Sequence, residues 1–270
     1  MRIRNPMHGE DRPGLTIQER KTSDYIEFGF ARPRVVMRDE TIPLGYFIKC
    51  MRGIATGANS FFFFTEEKIH QKGLPKEFFV RAVGRTRDVP TDELTQKVLS
   101  KLDHAGRPTW LLNLRGYTVE SLPESLRKYI REGEGCGLPG KPLIRQRRAW
   151  FWIEQRTPPP FLFAYLGRRN VRFIRNKTGA QALTGFLCVY PQPRYSSPKA
   201  LEVLWQCMKH PQFLCNLDLV AKTYGGGALK VEPRALERTP VPLEAVRPLL
   251  RLWKPSQEIQ LEEKTLVEHQ

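Results

Sequence analysis

Between Lys141 and Lys177 the chain sets ten cations (Lys141, Arg145, Arg147, Arg148, Arg156, Arg168, Arg169, Arg172, Arg175, Lys177) against one acid, Glu154. More than half of the net charge of +16, from 44 basic and 28 acidic side chains, falls in this stretch. Arginine dominates it, and a guanidinium fork matches phosphate oxygens and the guanine edge, as Asn or Gln matches adenine. Arg145-Gln-Arg-Arg-Ala-Trp-Phe-Trp152 interleaves guanidinium groups with indoles, and Tyr165, Asn170, Phe173 and Asn176 continue the mixture. So concentrated a field attracts polyanions, nucleic acid first. If the block forms strands, alternate residues face opposite sides, so one face can bury aromatics while the other presents arginines. The competing reading makes the aromatics ordinary core and the charges a solvated surface with local pairs such as Glu154–Arg156. That reading leaves the number of arginines unexplained.

Other candidate chemistry is weaker. Gly135-Cys-Gly-Leu-Pro-Gly-Lys141 fits the GxxxxGK phosphate loop, but Pro142 stands where a metal-binding hydroxyl is needed, and a helix end precedes it. Cys207 to Cys215 encloses His210, yet zinc wants paired ligand spacing and no second cluster exists. The five histidines are scattered, no GxSxG is present, and the acid pairs read as solvated surface. The sequence shows no self-contained catalytic site.

The supporting elements read as mixed α+β: a β-rich, twisted antiparallel or mixed sheet with helices clustered to one side. Expected strands are Ile42–Cys50, Phe61–Phe64, Trp110–Leu114, Arg145–Glu154, Phe161–Leu166, Val171–Ile174, Phe186–Tyr190 and Ala228–Val231. Expected helices are Glu66–Lys72, one capped by Thr91, Ser121–Arg131, one capped by Ser197, Pro211–Thr223 and Leu243–Trp253. Gly53–Asn59 (GIATGAN) is a turn-rich loop in which Gly53 and Gly57 are expected at positive φ. Residues 1–40 read as an arm or linker, 41–254 as the folded domain and 255–270 as a frayed tail. No apolar run approaches the roughly 20 residues of a membrane helix, and the first residues lack a secretory apolar core. With five cysteines and no CxxC pair, the expectation is reduced thiols in a cytoplasmic protein.

Arg52-Gly-Ile-Ala-Thr-Gly-Ala-Asn59, then Phe61-Phe62 and Gly73-Leu-Pro75, carry a resemblance. With Pro108–Leu112, Tyr129–Gly135, Arg145–Trp152, Pro158–Phe161, Asn176-Lys177, Tyr224–Pro233 and Pro240–Pro242 in the same order, the chain resembles the C-terminal target-recognition region of bacterial adenine-specific DNA methyltransferases and fused restriction–methylation enzymes. The match covers roughly Pro43 to Pro242. It implies a sequence-specific double-stranded DNA-binding module, with Arg52, Gly53, Thr56, Gly57 and Asn59 at one contact. Arg145, Arg147, Arg148, Arg168, Arg169, Asn170, Arg172, Arg175 and Lys177 would supply phosphate clamps and base readout, with Arg147 and Arg169 as expected readers.

Two departures shape that reading. A methyltransferase needs a Gly-rich S-adenosylmethionine loop after a strand, and an Asn/Asp-Pro-Pro-aromatic motif to hold the flipped adenine's amine. Pro158-Pro-Pro-Phe161 begins with proline, and Gly225–Gly227 lie far from any first strand. The expectation is therefore no cofactor and no metal on this chain, with S-adenosylmethionine on a catalytic methyltransferase subunit or domain. Alternatives are a complete adenine methyltransferase using unrecognised motifs, or an RNA-binding or defence-complex scaffold.

Overall fold

Residues 41–167, 171–224 and 228–252 are described in the computed structural model. In chain order come β1 (Thr41–Pro43), a 3-10 turn, β2 (Ile48–Arg52), the single turn α1 (Asn59–Phe62), β3 (Phe63–Phe64) and α2 (Glu66–Gln71). Then follow β4 (Phe79–Val83), β5 (Glu93–Leu94), α3 (Gln96–His104), β6 (Trp110–Leu112) and α4 (Glu124–Gly135). An irregular stretch leads to β7 (Phe161–Ala164), β8 (Leu166–Gly167), β9 (Arg172–Asn176), β10 (Gln181–Ala182) and β11 (Leu187–Pro191). After these come α5 (Pro198–Lys209), α6 (Pro211–Val220), β12 (Lys222–Tyr224), β13 (Ala228–Lys230), α7 (Pro233–Glu237), β14 (Pro240–Pro242) and α8 (Leu243–Leu252).

The larger sheet has the order β2-β11-β7-β9-β5, antiparallel except for the parallel β9–β5 edge. Side chains alternate across β7. Phe161 and Phe163 join one core with Trp205, Phe213 and Leu217 of α5 and α6, while Leu162 and Ala164 join another with Leu94 and Leu99. Both faces are covered, which is why Phe161–Ala164 is an unbroken apolar run. A second sheet, β10-β4-β6-β3, packs against α4. There Phe61 stacks on Tyr129 with 4.3 Å between ring centroids, and the Tyr129 hydroxyl donates to the Phe61 carbonyl at 2.8 Å. A parallel bridge from Ile54 to Leu183 joins the strand end of β2 to β10. The fold is the expected α+β class, with α5 to α8 sharing the core on one face of the larger sheet and α3 on the other.

Several local expectations are corrected. Arg145–Glu154 is a chain of turns and bends, not a strand. Phe61 and Phe62 close a helical turn, and only Phe63–Phe64 is extended. Thr95, not Thr91, caps α3, its hydroxyl accepting from Val98 N at 3.4 Å, because Glu93–Leu94 pairs with β9. Gly133 lies inside α4: a Cβ there would sit 2.4 Å from Trp150 Cη2 and 2.7 Å from Phe61 Cε2, so a glycine is needed where an indole meets the helix. Gly135–Lys141 leaves the end of α4 through a left-handed Gly137, with no strand before it, so it is not a phosphate loop. The expected arm 1–40 and tail 255–270 lie outside the described residues. Among the described residues no helix is long and apolar enough to cross a membrane.

Candidate nucleic-acid interface

The GIATGAN loop begins where β2 ends. Gly53 has no positive φ; its requirement is close approach, since a Cβ would lie 2.1 Å from the Leu183 carbonyl oxygen. Its N–H donates to Phe186 O at 3.0 Å, and Ile54 N–H donates to Ala182 O at 2.8 Å, so the loop's first half is welded to the sheet. Gly57 does adopt φ +73°, the left-handed region where glycine is favoured. A Cβ on it would lie 2.9 Å from Ile144 Cγ1, which puts the loop directly against the basic segment.

Arg147 fastens that contact. Its guanidinium donates to the carbonyls of Thr56 at 2.7 Å, Ala55 at 3.1 Å and Trp150 at 3.3 Å, and it lies 5.3 Å from the centre of the Phe62 ring. Partial burial pulls its pKa below the ordinary arginine value. Arg156 is the second fastening. It donates to the Arg52 carbonyl and forks onto Glu154, with both nitrogen–oxygen distances at 2.5 Å. The Glu154–Arg156 pair of the competing reading is therefore real, and it holds the loop's base. Below the loop, Thr56 is buried; its hydroxyl accepts from Ala58 N–H at 3.2 Å and donates to Asn59 Oδ1 at 2.5 Å.

The remaining cations divide by environment. Arg145, Arg148 and Lys141 are exposed, and among the described residues their side chains have no hydrogen-bond or ion-pair partner. Arg172, Arg175 and Lys177 are paired instead. Arg172 donates to the Val89 carbonyl and faces Asp92 at 3.7 Å, Arg175 meets Glu202 at 2.7 Å, and Lys177 meets Glu93 at 2.8 Å. The hydrogen bonds from Gln206 and Arg175 hold the Glu202 carboxyl below its usual range. β9 is covered on both faces, so its arginines reach acids on α5 and before α3, and no separate arginine face forms. Arg168, Arg169 and Asn170 lie outside the described residues. The indole N–H groups of Trp150 and Trp152 donate to Glu134 and to the Tyr117 carbonyl, so these rings serve the core and its rim.

Arg52 is exposed and bonded to Glu232 at 2.7 Å. It lines a cleft of about 590 Å³ with Lys49, Arg156, Arg234, Glu232 and Glu237. Sequence reasoning missed Lys49 and Arg234. The alternation of Ile48, Lys49 and Cys50 on β2 places Lys49 outward and was a usable signal, whereas the approach of α7 to β2 was not readable. Cys207 is buried core and Cys215 is exposed; among the described residues no His/Cys/Asp/Glu group could hold a metal.

This α+β architecture, with a glycine loop fixed beside an exposed arginine segment, belongs to the C-terminal region of restriction–modification methyltransferases. Specifically, the chain belongs to the family described as "Type II methyltransferase M.Eco57I, C-terminal domain", which matches residues 33–265. It is 24% identical over 197 residues to "Type II methyltransferase M.AccI" of Acinetobacter calcoaceticus, covering 73% of this chain and 36% of that protein. It is 26% identical over 220 residues to "Type II methyltransferase M.XamI" of Xanthomonas campestris pv. amaranthicola, covering 78% and 38%. The chain thus spans little more than a third of the length of these relatives. Among solved structures, the type IIG restriction endonuclease BpuSI aligns with a TM-score of 0.48 at 11% identity, over 75% of this chain and 24% of that one. The type IIL restriction-modification enzyme MmeI, solved in complex with DNA, aligns at 0.42 and 14%, over 69% and 24%.

Proposed function

We propose that this chain is the DNA target-recognition module of an adenine-specific methyltransferase or restriction–modification system, working in the cytoplasm on double-stranded DNA. The observation that carries the reading is the fastening of the GIATGAN loop to the Lys141–Trp152 segment. It sets Gly57 against Leu143 and Ile144, in the segment that also carries the exposed Lys141, Arg145 and Arg148. Arg145, Arg148 and Lys141 act as phosphate clamps, and Arg147 and Arg156 hold the loop they flank.

The chemistry of methyl transfer belongs, in this proposal, to a catalytic subunit or domain that carries S-adenosylmethionine, which supplies the methyl group when bound. The Pro-Pro-aromatic string of this chain does not fit the flipped base. Pro158-Pro-Pro-Phe161 is the lead-in to β7; its Pro159 and Pro160 carbonyls accept from Asn176, and its first position has no side-chain acceptor. The test is fluorescence anisotropy of the chain with a randomised duplex pool, and calorimetry with S-adenosylmethionine. The expected result is salt-dependent duplex binding without cofactor binding. Equal affinity for duplex and single-stranded RNA, or salt-independent affinity, overturns the reading.

A further inference from the structure

The loop has an unbalanced hydrogen-bond inventory. The carbonyls of Arg52, Ala55 and Thr56 are each taken by a guanidinium, from Arg156 or Arg147. The N–H groups of Ala55, Thr56 and Gly57 have no acceptor among the described residues, and Ala55 and Gly57 are exposed. Asn59 is also exposed, and its Oδ1 accepts from the buried Thr56 hydroxyl, whose own oxygen accepts from Ala58 N–H. With Oδ1 engaged by the Thr56 hydroxyl, Nδ2 has no partner among the described residues and is the group on offer. Adenine is matched by an Asn that both donates and accepts, on N7 and N6. A free donor beside free amides, in a loop packed on the segment that carries three free cations, matches instead a partner that only accepts, and a phosphate group is such a partner.

We propose that Asn59 Nδ2, with the neighbouring loop amides, contacts a non-bridging phosphate oxygen of the DNA backbone. The contact sets the register of the module without reading sequence, and Thr56, Arg147 and Arg156 are its positioning residues. The inference rests on the target-recognition reading above. Asn59 carries no charge, so its contact releases no counterion and is separable from the arginine contacts by salt dependence.

The experiment measures binding of the intact chain to a panel of labelled duplexes, including the best binder from a randomised pool, across a salt series. Asn59→Ala, at an exposed position, is expected to raise Kd by roughly 3–10-fold on every duplex, as for loss of one ordinary hydrogen bond. The ratio of best to random duplex and the salt slope both stay unchanged. Thr56→Val, which unpins the amide, gives a similar loss, and adding Asn59→Ala to it gives none further. Neutral methylphosphonates placed singly along the duplex provide an arm that uses the unaltered protein: at one position the difference between it and Asn59→Ala vanishes. A collapse of the best-to-random ratio makes Asn59 a base reader and overturns the inference, as does an unchanged Kd on all duplexes. If the intact chain binds no duplex, the target-recognition reading itself falls.

Discussion

Replacing Arg147 by Met separates a loop fastening from a phosphate clamp. The substitution keeps the side chain's length and apolar stem and removes the guanidinium. Of its three carbonyl contacts, those to Thr56 and Trp150 are partly buried and the one to Ala55 is exposed, where water replaces it. A hydrogen bond to a charged group contributes about 1.5–3 kcal/mol net. Two such bonds, with the ring contact to Phe62 adding roughly 0.5–1 kcal/mol and the relieved desolvation of the guanidinium opposing them, give an expected loss of about 2–4 kcal/mol. Urea unfolding with linear extrapolation reads it as a lower midpoint at constant slope. Duplex affinity falls as well, because the loop loses its position, but the dependence of log K on log[salt] keeps its slope. Arg145→Ala and Arg148→Ala do the reverse: stability changes by less than about 0.5 kcal/mol, and each flattens the salt slope by about 0.9. An Arg147 variant of unchanged stability whose salt slope drops by about one unit refutes the fastening and makes Arg147 a phosphate contact.

Other substitutions check the remaining geometry. Gly53→Ala forces its Cβ into the Leu183 carbonyl, breaks the bonds to Phe186 and Ala182, and is expected to cost more than about 3 kcal/mol by thermal unfolding. Gly57→Ala is milder, about 1–2 kcal/mol from the left-handed backbone with added crowding of Ile144, read by the same unfolding assay. Thr95→Ala costs about 1 kcal/mol as a lost cap, whereas Thr91→Ala costs less than about 0.5 kcal/mol; the opposite order would return the helix start to Thr91. Cys136 and Cys215 are exposed and label rapidly with a thiol reagent. Cys188 and Cys207, lifted by burial to about 11 and about 12, and the more strongly raised Cys50 label only on unfolding.

Much of the frame was legible because it follows from local chemistry. The apolar run at Phe161–Ala164, the Ser197-Pro198 helix start and the Gly73 stop need only neighbours along the chain. What could not be read depends on distant partners. Glu93–Leu94 looks like the acidic first turn of a helix, and it is extended because β9 offers it a parallel edge. Arg145–Trp152 alternates like a strand, and it is a chain of turns because Gly133 lets Trp150 settle on α4. Gly53 and Gly57 were singled out together for backbone freedom, and only Gly57 uses it.

The same limit applies to charge. A count of ten cations against one acid treats every arginine alike, but the neutralising acids lie outside the counted window: Asp92 and Glu93 precede α3, and Glu202 is on α5. Pairing removes Arg172, Arg175 and Lys177 from the free field, and carbonyl bonds anchor Arg147 and Arg156 in the loop they support. Among the described residues of the block, the cations with no such tie are Lys141, Arg145 and Arg148. They lie, with Arg147, in the turn-rich segment of Ile144, whose side chain meets Gly57. A field built from three free charges steers a polyanion less strongly than ten would, yet the loop beside it is held by two half-buried fastenings. Under the proposed function, long-range attraction needs only charge, whereas register needs a donor that is held in place. In that proposal the loop-fastening Arg147 and Arg156 contribute to binding without touching DNA, as the exposed Arg145 and Arg148 contribute by touching it.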